Sequence, residues 1–398
     1  MQKNNQTEKK NMVVNTPPMG WNSWNTFGTN ISDQLIREVA DKFIELGLDK
    51  AGYQYVVIDD CWSLRDRDPE TGKIVADPEK FPAGMKALSD YVHSKGLKFG
   101  MYSCAGLRTC GNYPGSFGHE FLDAKTFAEY GCDYLKYDYC YFPHDSAKTP
   151  NTYLVMGNAL RACGREILYS LCNWGQQDVW TWAKAVGGNM YRSTGDIFDN
   201  AVSFSDIAKS QLDKYCYSGA TCFNDMDMLT VGMYGKGNVG CQKDEMTAEE
   251  KKVWFDRYCN QFSLWCIMGS PLMLGADIRN MDEDILNLVK NKDLIRINQD
   301  PECRPAFKVT DWDPATSVGL AKLLSDGTIA LGLFNFNEDG RKMQILCESL
   351  GYPYASGYDL KARDIFTGEE QLLTREMILE DVAPYGCRMF ILTPVKRA

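Results

Sequence analysis

The chain has 398 residues, too many for one ordinary domain and suited to a barrel of ~250 residues beside a smaller module. Its hydrophobic fraction of 44% and charged fraction of 24% are those of a globular protein, and its net charge of −10 argues against nucleic acid or an anionic membrane as partner. No run of about 18 apolar residues is present to span a bilayer.

Met1 to Lys10 is polar and lacks an apolar stretch, so residues 1–12 are expected to be a disordered tail rather than an export signal. Short apolar runs then alternate with helical patterns. Eight candidate strands follow in order: Met19–Trp24, Tyr55–Asp60, Lys98–Cys104, Tyr134–Cys140, Ile167–Asn173, Met190–Asp196, Cys222–Asp227 and Pro271–Asp277. Between them Leu35, Val39 and Phe43 repeat at helical spacing. So do Met85, Leu88 and Val92, with Gly96 just beyond, and the aromatics of Ala248 to Met268. Eight strands alternating with helices predict a (β/α)8 barrel over residues 13–302. After Asp300-Pro301 the runs become short and turn-bounded. Gly319–Leu324 and Thr328–Phe334 flank Asp326-Gly327 as a hairpin, and Tyr358–Ile365 and Gly386–Leu392 continue the pattern. An antiparallel β-sandwich is expected over residues 303–398.

Polar residues gather at the C-terminal ends of the barrel strands, where this fold carries its active sites. They include Asp59-Asp60, Lys136, Asp138, Arg192, Asp196, Asp225 and Asp227. Several carboxylates with a Lys, an Arg and nearby indoles suit glycoside hydrolysis, in which one carboxylate attacks and another protonates the leaving oxygen. Lys136 precedes Asp138 by two, so both face one side of a strand, and the ammonium is expected to keep Asp138 ionised. Asp196, followed by Ile197 and Phe198, is expected to be held protonated in a drier setting. Arg192 stands four before Asp196, on the same side of a regular strand. Asp225 and Asp227 read equally as caps or sugar contacts, and Trp174, Trp180 and Trp182 more as packing than as stacking platforms. Two readings of other kinds remain: a metal-dependent lyase or isomerase using Asp59, Asp60, Asp138 and Asp227 as ligands, and a sugar-binding protein without activity. The three His have no metal-ligand spacing. The 15 Cys are odd in number and dispersed, which fits reduced thiols and a cytoplasmic location.

The segments Thr16-Pro17-Pro18-Met19-Gly20-Trp21-Asn22-Ser23-Trp24, Ile58-Asp59-Asp60-Cys61-Trp62 and Tyr134-Leu135-Lys136-Tyr137-Asp138 resemble glycoside hydrolase family 27. Arg192–Ile197, Asn224–Leu229, Phe262–Trp265, Gly275–Arg279 and Asn298–Asp300 continue the match in order. The family is dominated by α-galactosidases and includes α-N-acetylgalactosaminidases and β-L-arabinopyranosidases. The resemblance implies a retaining exo-glycosidase acting on terminal α-galactosyl groups, with Asp138 as nucleophile and Asp196 as acid/base. It places Trp21, Asp59, Asp60, Tyr102, Lys136, Cys172 and Arg192 around the sugar, with Met228 as an apolar wall. Asp59 and Asp60 would take the C4 and C6 hydroxyls, and Arg192 the C2 hydroxyl. Asn173, beside Trp174, falls near the C2 substituent. Cys110 and Cys140 match a family disulfide, whereas the partner that Cys61 has in many relatives is absent. No metal or cofactor is implied. A homo-oligomer is a further expectation, with the β module either packed only against its own barrel or also joining subunits.

Overall fold

A computed structural model describes residues 14–143, 149–235, 246–310, 313 and 315–397. The expected tail and His144 lie outside the described residues. Eight parallel strands form one sheet: β1 (Met19–Asn22), β2 (Tyr55–Val57), β3 (Lys98–Cys104), β4 (Tyr134–Asp138), β5 (Leu168–Cys172), β6 (Met190–Arg192), β7 (Phe223–Asp225) and β8 (Leu272–Leu274). Their spatial order, β7-β6-β5-β4-β3-β2-β1-β8, is sequential around a ring. The ring closes where Leu229 bridges Leu274 in parallel, with its N–H donating to the Met273 carbonyl at 2.8 Å.

Alternation along the strands builds both the plug and the mouth of the barrel. Tyr55, Val57, Tyr134, Leu168, Met190, Phe223 and Met273 point inward and form a separate buried cluster. Two residues further on, the same inward rows become polar: Tyr134 leads to Lys136 and Asp138, Met190 to Arg192, and Phe223 to Asp225. The outward residues, among them Val56, Met101, Leu135, Tyr137, Leu171 and Tyr191, belong to the layer beneath the helices. Gly20 is required where β1 meets β2, since a Cβ there would lie 2.5 Å from the Tyr55 carbonyl oxygen.

All eight expected strands are present, but seven end earlier than the sequence reading placed them; β3 has the expected bounds. The overrun residues include polar ones at the mouth, among them Asp59, Asp60, Asp196 and Asp227. Some leave the ladder because their N–H groups turn to the preceding carboxylate: Asp60 N–H reaches Asp59 Oδ1 at 2.9 Å, and Tyr139 N–H reaches Asp138 Oδ1 at 2.8 Å.

The helix Ala248–Met268 begins with a capping box between Thr247 and Glu250 and stops at Gly269, whose φ is 68°. From Tyr258 to Ile267 every residue is buried, because the barrel covers one side and the second module the other. That module has a six-stranded sheet, β14-β13-β16-β11-β10-β9, comprising β9 (Phe307–Lys308), β10 (Ser317–Leu323), β11 (Ile329–Asn335), β13 (Tyr358–Asp364), β14 (Glu370–Leu373) and β16 (Cys387–Lys396). A two-stranded sheet pairs β12 (Arg341–Leu346) with β15 (Glu376–Val382). The expected hairpin is β10–β11, with Leu323 opposite Ile329. On β11, Ala330 and Phe334 join the barrel's core, whereas Ile329, Leu331 and Leu333 join Met343, Ile345, Met377 and Leu379. A period of two therefore splits one strand between two cores and makes the sandwich. Asn260 Nδ2 fixes the junction, donating to the carbonyls of Tyr385 and Gly386 at 2.9 and 3.0 Å.

Candidate active site

A cavity of about 490 Å³ opens at the C-terminal ends of the strands, a size ordinary for a small-molecule site. Asp59, Asp60, Tyr102, Lys136, Asp138, Cys172, Trp174, Arg192, Asp196 and Met228 line it. These residues come from β3, β4, β5, β6 and the loops that follow β2 and β5 to β7.

At the floor, Asp59 Oδ2 accepts from Lys136 Nζ at 2.8 Å and from Asn22 Nδ2 at 2.7 Å, and Asp59 Oδ1 accepts the Asp60 N–H at 2.9 Å. Asp60 accepts the N–H groups of Cys61 and Gly111, both at 2.7 Å. Burial pushes the Asp60 carboxyl upward against these bonds. Lys136 is charged: burial opposes its ammonium, but the carboxylates of Asp59 and Asp138 more than compensate.

Asp138 is 6% exposed. Tyr102 OH donates to its Oδ2 at 2.8 Å, and the Tyr139 N–H to its Oδ1 at 2.8 Å. Desolvation dominates and lifts its pKa to about 6, with Lys136 and Tyr102 pulling the other way. The neighbouring ammonium alone would keep Asp138 well ionised, but burial of the carboxylate is the larger effect. Cys110 and Cys140 are joined as a disulfide beside it, with Cys110 Sγ 3.8 Å from Asp138 Oδ2.

Asp196 differs in every respect. It lies four residues beyond the end of β6, and its side chain is 70% exposed. It reaches Arg192 Nη2 at 2.6 Å through a loop, not through strand alternation. Partial desolvation pulls its pKa up, but the Arg192 guanidinium outweighs this and the net shift is downward. In the unliganded protein Asp196 is therefore ionised, opposite to the expectation of a dry, protonated carboxyl.

Two expected sugar contacts do not reach the cavity. Trp21 is fully buried, and its indole N–H donates to the Ala276 carbonyl at 2.8 Å. Trp24, three residues on, lines the cavity instead. The cause is alternation: Asn22 faces the barrel to hold Asp59, so Trp21 must face the helices. Asn173 is also fully buried, with Nδ2 donating to the Gln176 carbonyl at 2.7 Å, and it shapes the turn that presents Trp174. Trp180 and Trp182 stay outside the lining, as packing residues would.

Asp227, a cap or a sugar contact by sequence, has a definite place in the structure. It lines the cavity in the left-handed region, at φ 77°, and its Oδ2 sits 2.8 Å from Arg192 Nη2 while accepting the Ile197 N–H at 2.7 Å. Asp227 thus holds both the guanidinium and the loop bearing Asp196. A metal reading needs Asp59 and Asp227 as free ligands, but each is already neutralised by a cation of the protein itself, Lys136 and Arg192. Among the described residues the close set of ligand atoms is Cys110, Asp138 and Cys140, two of which are bonded to each other.

Residues 16–300 match the family model described as Melibiase_2, alpha galactosidase A. An α-galactosidase of Cyamopsis tetragonoloba is 42% identical over 97% of this chain and 88% of its own length. The crystal structure of α-galactosidase I from Mortierella vinacea superposes with a TM-score of 0.87 at 32% identity, covering 98% of this chain and 100% of that one. An α-galactosidase from Saccharomyces cerevisiae, solved with raffinose, gives a TM-score of 0.83 at 28% identity over 96% of this chain and 98% of its own. A barrel mouth lined by these carboxylates, extended by relatives that match nearly end to end, makes the chain a member of the alpha galactosidase A family, glycoside hydrolase family 27.

Proposed function

We propose that this protein is a retaining exo-α-galactosidase that releases terminal galactosyl groups from raffinose-type oligosaccharides. The observation that carries the reading is the pair of unlike carboxylates on one cavity: Asp138 buried with both oxygens hydrogen-bonded, and Asp196 exposed on the loop above. A terminal galactosyl ring would sit on the floor, with Asp59, Asp60 and Lys136 offering charge-assisted bonds to its hydroxyls. Asp138 would attack the anomeric carbon while Asp196 protonates the leaving oxygen. Asp196 would then take a proton from the water that cleaves the galactosyl–Asp138 ester, giving net retention. A sugar hydroxyl drawn to Arg192, together with loss of water around Asp196, would raise the Asp196 pKa from its lowered unliganded value toward that of an acid. The named activity of relatives up to 42% identical, and the raffinose held by the yeast enzyme, support the substrate class.

The test is hydrolysis of an aryl α-galactoside followed by proton NMR at early times. The expected first product is α-galactose. A β-galactose burst would mean inversion, and turnover only of the N-acetylgalactosaminide or the β-L-arabinopyranoside in a parallel panel would replace the sugar.

A further inference from the structure

The wall of the cavity changes character just past Asp196. Phe198, Asn200 and Met233 line it there. Phe198 is 69% exposed, while Ile197 and Asp199 on either side are under a tenth exposed. A large apolar ring held in water forgoes the free energy of burial, and a loose loop would fold it away.

This loop is not loose. The Ile197 N–H donates to Asp227 Oδ2 at 2.7 Å, and the Phe198 N–H donates to Ser203 Oγ at 2.9 Å. Asp199 Oδ2 accepts the Gly235 N–H at 2.6 Å and the Tyr258 hydroxyl at 2.9 Å, which ties the loop to the β7–β8 connection and to the helix Ala248–Met268. Asn200 caps the next helix by accepting the Ser203 N–H at 2.8 Å. The backbone is pinned from residue 197 to residue 200 while the phenyl ring stays out. Such an arrangement is preorganised to receive something flat.

Position says what that is. The group that protonates the leaving oxygen lies two residues before the ring, so the departing part of the substrate passes Phe198 first. Resting on the α-galactosidase reading above, we propose that Phe198 is the platform of the aglycone subsite. It packs the C–H face of the pyranosyl ring to which the galactosyl group is attached. The floor then selects the galactosyl group and Phe198 favours a second sugar ring over a small leaving group.

The experiment compares two donors in each variant: α-galactosyl fluoride, whose leaving group is one atom, and an α-1,6-linked galactosylglucose. The readout is the ratio of kcat/KM for the disaccharide to that for the fluoride, which cancels losses from folding or from the floor. The ratio is expected to fall about tenfold in Phe198→Ala, to fall also in Phe198→Leu, which keeps bulk without a flat face, and to recover in Phe198→Tyr. An unchanged ratio in the Ala and Leu variants, or a Tyr variant as low as Ala, overturns the proposal. If the wild-type protein turns over neither donor, the α-galactosidase reading itself fails, whatever the variants do.

Discussion

At the floor of the cavity Asp59, Asp60 and Asp138 are each under a tenth exposed, and each carboxylate accepts two or more hydrogen bonds. At the rim Asp196 is 70% exposed and pairs with one guanidinium. The floor therefore resembles a protein interior, with fixed donors and little water, where a bond made or lost is worth much. The rim resembles a surface, where charge is screened and a proton is readily exchanged with solvent. A double displacement needs both: a nucleophile that does not move, and an acid/base that meets leaving group and water in turn.

The largest effect should fall on the nucleophile. Asp138→Asn keeps the shape of the floor and is expected to lower kcat on an aryl α-galactoside by about 10⁴-fold or more; a rate within tenfold of wild type would break the contrast at its base. Next, Asp196→Asn should cost about 10²–10³-fold on an oligosaccharide, whose leaving oxygen needs a proton. It should cost far less on α-galactosyl fluoride, and equal losses on both would deny Asp196 the acid's role.

Stability should divide the two regions in the same direction. Asp59→Ala strands Lys136 in the interior and is expected to destabilise the fold by about 3 kcal/mol, whereas Asp196→Ala should cost less than about 1 kcal/mol because its partner remains paired with Asp227. Denaturant unfolding of both variants at neutral pH would show it, and equal losses would mean that the floor is not the more tightly coupled region.

The smallest effect is a shift in pH dependence. The productive free enzyme carries one proton on the Asp138–Asp196 pair, so kcat/KM should fall as pH rises past about 6, where the raised Asp138 group loses its proton. Tyr102 OH favours the ionised form of Asp138, so Tyr102→Phe should move that limb to higher pH. A limb that stays in place, or moves down, would detach it from Asp138.

Much of this was legible in the chain, for a definite reason. Inward residues of a barrel strand pass from apolar to polar at period two, and Tyr134, Lys136 and Asp138 display that passage within five residues. The same regularity misleads once the ladder ends. Arg192 and Asp196 keep the spacing of a strand, yet they meet across a loop. Trp21 and Trp24 are both indoles near the mouth, and only the inward turn of Asn22, set by its bond to Asp59, separates them. Asp227 gives no local sign of its double duty, because its partners, Arg192 and Ile197, lie 30 or more residues away in sequence and are reached from a left-handed backbone. The balance between burial and Lys136 at Asp138 is likewise a property of the packed interior, not of spacing.

In the mechanism proposed here the buried carboxylate of the floor, and not the exposed one of the rim, forms the bond to galactose. Incubation with a fluorinated α-galactosyl donor that slows hydrolysis of the glycosyl-enzyme, followed by peptide mass spectrometry, tests it directly. One galactosyl adduct is expected, on the peptide that carries Asp138. An adduct on the peptide that carries Asp196, or turnover with an inverted product and no adduct, would take the nucleophile's role from Asp138.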